Sequence, residues 1–156
     1  MSATPQTTQW TAEAVNDAAN RRLAAEVWSG GDLALCDELV APDWALHQPG
    51  VPDPGRGPDG YRAWVAGARE TFPDLRLLVE EQFCLGDRVA TRWTVRGTHL
   101  GELRGLPATG RTVEWTAVSI KRFAGGKVAE TWICTDRLAM LRQIGAAPRE
   151  AGPAGW

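Results

Sequence analysis

Between Gly86 and Asp136 the chain reads GDRVATRWTVRGTHLGELRGLPATGRTVEWTAVSIKRFAGGKVAETWICTD, and no other stretch constrains the fold as much. Its pattern repeats every second residue, the period of a strand whose side chains point alternately to two faces. Val89, Thr91, Trp93 and Val95 alternate with Ala90, Arg92, Thr94 and Arg96 in a strand expected from Val89 to His99. Val113, Trp115, Ala117 and Ser119 alternate with Glu114, Thr116, Val118 and Ile120 in another, from Arg111 to Phe123. Gly125-Gly126 is a tight-hairpin signal leading into a third, Val128 to Cys134. Upstream, Leu75, Leu77, Val79, Glu81 and Phe83 keep the same period and end at the Gly86-Asp87 turn, which adds a strand in front. Around 117–120 both faces carry apolar residues, so the sheet is expected to be covered on both sides, by helices on one and by a partner subunit on the other.

Before this meander the period lengthens to that of a helix. Val15, Ala18, Ala19, Leu23 and Val27 form an apolar stripe from Thr11 onward, ended by Gly30 and Gly31. Asp32 is a natural N-cap for a second helix carrying Leu33, Leu35 and Leu39, which Pro42 ends. The next segment, APDWALHQPGVPDPGRGPDG, holds five prolines and leaves room only for an extended piece from Trp44 to His47. Long ordered loops of this kind often carry function. Pro58 suits the first turn of a third helix, striped by Tyr61, Trp64, Val65, Ala68 and Phe72 and stopped by Pro73. Thr135 or Asp136 caps a last helix, Arg137 to Ile144, closed by Gly145. Residues 1–10 read as a flexible arm, 11–146 as a single domain and 147–156 as a flexible tail. The class is α+β: N-terminal helices against a curved, antiparallel four-stranded sheet, with a short C-terminal helix closing a conical cavity.

Composition narrows the function. With 17 basic and 19 acidic side chains, a net charge of -2 and no long run of either sign, neither nucleic acid nor membrane is expected as a partner. The N-terminus has no basic start or apolar block, and no stretch approaches the roughly 20 apolar residues of a membrane span. A cytoplasmic location is expected. Cys36, Cys84 and Cys134 are odd in number and widely spaced in apolar patterns, as reduced core residues are. No C-x-x-C or H-E-x-x-H occurs, so no metal site is expected.

The order of elements, GGDLALCDELVAPDWALHQPG, FPDLRLLVEE, GTHLGELRGLPATGRTVEW and RFAGGKVAETWICTDRLAMLRQIG together resemble the SnoaL-like polyketide cyclases of the nuclear transport factor 2 (NTF2) superfamily, over about residues 12–146. The resemblance implies an NTF2-like cone and a cofactor-independent cyclase of secondary-metabolite or antibiotic biosynthesis. Such an enzyme closes or rearranges a ring in a hydrophobic, aromatic, polyketide-like substrate by acid/base catalysis. The apolar residues on both faces around 117–120 add the expectation of a homodimer or homotetramer through the outer sheet face. In the cyclases that gave the family its name, an aspartate on the last strand serves as acid/base in an aldol closure. An ungapped alignment anchored on LRQIG and the GGK hairpin sets Ile133 at that position, and Ser119 where the same enzymes carry a histidine. The aldol mechanism therefore does not transfer residue for residue.

His99, at the end of GTH, is the first acid/base candidate because histidine titrates near neutrality; its alternative is to pin the LGELRGLPATG loop. Asp136 is the second, with helix capping as its alternative. His47, before the proline-rich loop, is the third, against a loop-ordering hydrogen bond. Arg92 is a candidate clamp for a substrate oxygen, or else a solvated strand residue. Trp44, Trp64 and Trp115 are candidate walls for a flat ligand, or core filling, and Ser119 and Ile133 complete the expected binding set. Epoxide opening or hydrolysis on the same fold, and a binding protein without catalysis, are the competing readings.

Overall fold

The computed structural model describes residues 6–146. The expected tail at 147–156 and the first five residues of the expected arm lie outside them. Helix α1, Gln6–Arg22, begins within the remainder of that arm and continues without a break as a π-helical stretch, Leu23–Ser29. Leu23, Ala24, Val27 and Trp28 of this stretch are buried. Asp32 caps as expected, its Oδ1 accepting the Ala34 N–H at 3.2 Å, but the helix it starts is only a 3₁₀ turn, Leu33–Leu35, followed by one α-turn, α2, Cys36–Leu39.

The chain then enters β1, Val40–His47, which contains the extended piece expected from Trp44 to His47 and begins four residues before it. Helix α3, Gly57–Thr71, follows, and then β2, Arg76–Leu85, β3, Arg88–Thr98, β4, Thr112–Ala124, β5, Lys127–Thr135, and α4, Arg137–Gln143. The sheet order is β1-β5-β4-β3-β2. Strand β1 runs parallel to β5, and the other pairs are antiparallel. The four-stranded antiparallel sheet of the sequence reading is thus a five-stranded mixed one. Pro42 does not prevent β1 because β1 is an edge strand, where a missing N–H need not interrupt a ladder, and the register is irregular between Val40 and Ala45.

Alternation along β3 and β4 sends one set of side chains under the helices and the other outward. Val89, Thr91, Trp93 and Val95, with Val113, Trp115, Ala117, Ser119, Lys121 and Phe123, are all buried. Arg92 pairs with Glu81, and Arg96 with Glu114, on the opposite, outer face. Above the inner face the aromatics of α3 and the π-helical stretch interlock. Trp28 meets Trp64 edge-on at 4.6 Å, and Trp44 stacks on Trp64 at 5.8 Å. Edge-to-face and offset contacts of this kind add to the burial of large apolar surfaces. The indoles therefore prop the helices off the sheet at one end and leave a hollow there.

Candidate active site

That hollow is a chamber of about 120 Å³ between the inner sheet face and the helices. Its floor is Trp93, Val95, Trp115, Ala117, Ser119 and Lys121, its side wall is Ile133 and Thr135 of β5, and its roof includes Trp28, Trp64 and Ala68. An outer groove of about 390 Å³, walled by Val51, Pro52 and Pro54, shares Gln48, Trp64, Ala68, Leu75, Trp115 and Thr135 with it. A cavity of roughly 150 Å³ accepts one benzene ring. The chamber therefore matches a single ring-sized portion of a ligand, and the groove gives room for the rest. The proline-rich segment after β1 forms that groove's rim, as its place in the sequence suggested.

Among the described residues that line the chamber only Lys121 is ionisable. Its Nζ donates to Asn20 Oδ1 at 2.8 Å and lies 5.1 Å from the centre of the Trp93 ring. Asn20 is held in turn, since its Nδ2 donates to Gln82 Oε1 at 2.7 Å and to Thr91 Oγ1 at 3.0 Å. Gln82 Nε2 donates to Asp17 Oδ1 at 2.7 Å, which carries the network to the surface. Lys121 has no ion-pair partner among the described residues, and burial alone pushes its pKa down to about 7. Removing an ammonium from water without a counter-charge disfavours the charged form.

The chamber's other polar groups are neutral. Trp93 Nε1 donates to Ser119 Oγ at 2.8 Å, leaving the hydroxyl proton free to point elsewhere. At the mouth, Trp64 Nε1 donates to Gln48 Oε1 at 3.1 Å and Gln48 Nε2 to Thr135 Oγ1 at 3.2 Å, a strap from helix to sheet. Ser119 and Ile133 face each other across β4 and β5, and both line the chamber. Among the described residues no three His, Cys, Asp or Glu converge as a metal site would require.

The structure brings together only part of the expected set. Trp64, Trp115, Ser119 and Ile133 line the chamber. Trp44 is fully buried one layer behind Trp64, its Nε1 donating to Thr131 Oγ1 at 3.0 Å. Arg92 lies on the outer face, bound to Glu81 at 3.0 Å. His99 is fully buried but is not among the lining residues of the chamber or the groove. The Thr109 N–H donates to its Nδ1 at 3.3 Å, and the Thr109 hydroxyl lies 2.9 Å from the same nitrogen. The ring therefore ties down the loop between β3 and β4, with the proton on Nε2, which has no partner among the described residues. Asp136 caps α4, its Oδ1 accepting the Ala139 N–H at 2.9 Å. His47 stacks on Trp132 at 5.1 Å with its Nε2 2.8 Å from Glu130, and the bond from His47 holds the Glu130 carboxyl below its ordinary range.

Lys121 was the residue that sequence reasoning passed over. The signal was present: extending the inward series Val113, Trp115, Ala117, Ser119 by one step of two reaches it.

Residues 18–144 match the SnoaL-like polyketide cyclase family. The chain is 29% identical over 120 residues to the aklanonic acid methyl ester cyclase DnrD of Streptomyces peucetius, covering 76% of this chain and 79% of the relative. It is 30% identical over 115 residues to the nogalonic acid methyl ester cyclase of Streptomyces nogalater, covering 70% and 82%. Among solved structures, IdmH from Streptomyces antibioticus superposes with a TM-score of 0.74 at 34% identity, over 83% of this chain and 98% of that one. TsrD from Streptomyces laurentii gives 0.76 at 28%, over 86% and 97%. With the helix-roofed chamber and the sheet that builds it, these matches place the chain in the SnoaL-like polyketide cyclase family.

Proposed function

We propose that this cyclase closes a ring in a hydrophobic polyketide-like substrate, holding one ring-sized portion in the inner chamber and the remainder along the outer groove. The observation that carries the reading is the chamber's lining, apolar and aromatic walls around a single ionisable group, Lys121. Ring closure needs a proton taken from carbon and a donor for the oxyanion that forms, both more effective where water is excluded. Lys121 is placed to handle the proton, and the Ser119 hydroxyl to donate to the oxyanion. His99, Asp136 and His47 act on structure in this reading: they hold a loop, a helix and an edge strand.

The test uses the substrates named by the two relatives, aklanonic acid methyl ester and nogalonic acid methyl ester, with products followed by mass spectrometry. Ring closure leaves the mass unchanged or lowers it by one water. Hydrolysis of the methyl ester adds one water and expels methanol, a net loss of CH2, addition of water to another group raises the mass by one water, and tight binding without a new product marks a carrier; any of these results refutes the cyclase reading for these esters.

The outer face supports a homodimer. Trp132, Ile120, Ala90 and Phe83 lie opposite one another in a row across four strands, with Val118 beside them, and Phe83, Val118 and Ile120 are exposed. A contiguous apolar patch on a sheet is a common subunit interface. Ile120→Glu is expected to convert a dimer to a monomer in sedimentation; a wild-type monomer overturns the assignment. A cytoplasmic location suits the three free thiols. Among the described residues no helix is long and apolar enough to cross a membrane.

A further inference from the structure

The chain carries fifteen arginines and only two lysines, Lys121 and Lys127. Lys127 is at the surface end of β5, donating to the Asp37 carbonyl at 2.9 Å, whereas Lys121 is only 3% exposed and borders the chamber. A buried cation kept for structure is ordinarily paired with a carboxylate. Lys121 instead meets a neutral amide oxygen, one aromatic face and the chamber itself. An amine in such surroundings spends much of its time with a free lone pair, the condition for attack on a carbonyl. Its depressed pKa, about 7, agrees with this.

We infer that Lys121 is a nucleophile that condenses with a ketone or 1,3-dicarbonyl of the substrate to form an imine. The inference rests on the chamber's being the reaction site. Nζ attacks the carbonyl carbon, a C–N bond forms, and the carbonyl oxygen leaves as water after taking up one proton from Nζ and one from solvent relayed by the Ser119 hydroxyl, the latter being released again when the iminium is hydrolysed. The resulting iminium draws electrons from the neighbouring carbon, whose proton passes to the released water. The enamine carbon attacks a second carbonyl, and the new alkoxide takes that proton back. Water then hydrolyses the iminium and restores the amine, with no oxidant or reductant consumed. Covalent capture answers a difficulty in the geometry. One amine, with no second ionisable group in the chamber's lining, has both to acidify a C–H bond and to accept its proton. As an iminium the same nitrogen becomes the electron sink. The Ser119 hydroxyl shares its face of β4, two residues away, and is placed to protonate the departing oxygen.

The probe is benzoylacetone, a flat 1,3-diketone whose condensation with an amine gives a stable enaminone and one water. Binding is read by quenching of tryptophan fluorescence, and capture by near-ultraviolet absorbance and intact mass, with the site mapped by peptide analysis. The expected result is a single adduct on Lys121, formed at least about tenfold faster than any on Lys127 and absent from Lys121→Met, which still quenches on binding. Quenching without an adduct on Lys121, or equal adduct on Lys121→Met, overturns the inference and leaves the chamber as a binding site. No quenching by either protein overturns the reading of the chamber on which both conclusions rest.

Discussion

Replacing Lys121 by methionine separates the energetics of the buried amine from its chemistry. In the folded protein Lys121 releases its proton near pH 7, and in the unfolded chain near its ordinary value of 10.5. Between those limits the unfolded chain binds more protons, so stability rises with pH across that window. Below it both states are protonated, and the folded state bears the full burden of the buried charge. One pKa unit corresponds to about 1.4 kcal/mol, so the gain from pH 6.5 to 8.5 is about 2 kcal/mol, allowing for partial titration near 7. At a urea dependence of about 2 kcal/mol per molar, the wild-type midpoint should rise by about 1 M. Burial raises the thiols of Cys36 and Cys84, which favours unfolding as pH passes about 9, so the window stops short of that. Methionine also leaves Asn20 Oδ1 without its donor, a loss of about 1–3 kcal/mol at every pH. The difference in slope between the two proteins is therefore the diagnostic, and groups common to both cancel. Parallel midpoints in wild type and Lys121→Met would refute the claim that Lys121 is a buried amine without a counter-charge.

Four further outcomes follow from the same geometry. Asn20→Asp sets a carboxylate where Nζ now meets a neutral oxygen at 2.8 Å, holds the ammonium charged, and should lower both turnover and benzoylacetone capture at pH 7.5 by at least about tenfold. Ala68→Phe fills the passage shared by chamber and groove and should raise KM while the unfolding free energy from urea titration stays within about 1 kcal/mol of wild type. His99→Gln should lower stability by about 2 kcal/mol through the loop it ties down, while kcat measured well below the melting temperature stays within about threefold; a larger fall in kcat would return His99 to the reacting groups. Asp136→Ala should remove about 1 kcal/mol of capping stability, read from the urea midpoint, and leave kcat within about threefold.

The period-two pattern after Pro73 located four strands and their hairpins to within a residue or two, because one face of each is buried and alternation is then imposed by packing. Strand β1 showed only as the extended piece from Trp44 to His47, because its first half contains Pro42 and it pairs in parallel with β5, more than 80 residues on, which no local pattern reports. The π-helical stretch was equally silent, since buried positions 23, 24, 27 and 28 suit an α-helix as well. In the site, Trp64, Trp115 and Ser119 were reachable from strand parity and the helix stripe, and Ile133 from the alignment with the resembled family. His99 attracted attention by its chemistry, yet its Nδ1 is engaged by Thr109, ten residues away across a loop whose path the sequence does not reveal. Lys121 was passed over for the opposite reason. A lysine beside Arg122 near a turn looks like a solvated cation until both faces of β4 are assigned, and its hydrogen-bond partner Asn20 is 101 residues distant.

The most direct test of the chamber as the place of reaction is kcat/KM against pH for wild type and Lys121→Met on whichever of the two methyl esters is converted. The wild-type value should climb about tenfold per unit below pH 7 and level off above it, and Lys121→Met should be at least about a hundredfold lower at the plateau, with that limb gone. A variant within about threefold of wild type at pH 8 would contradict the account.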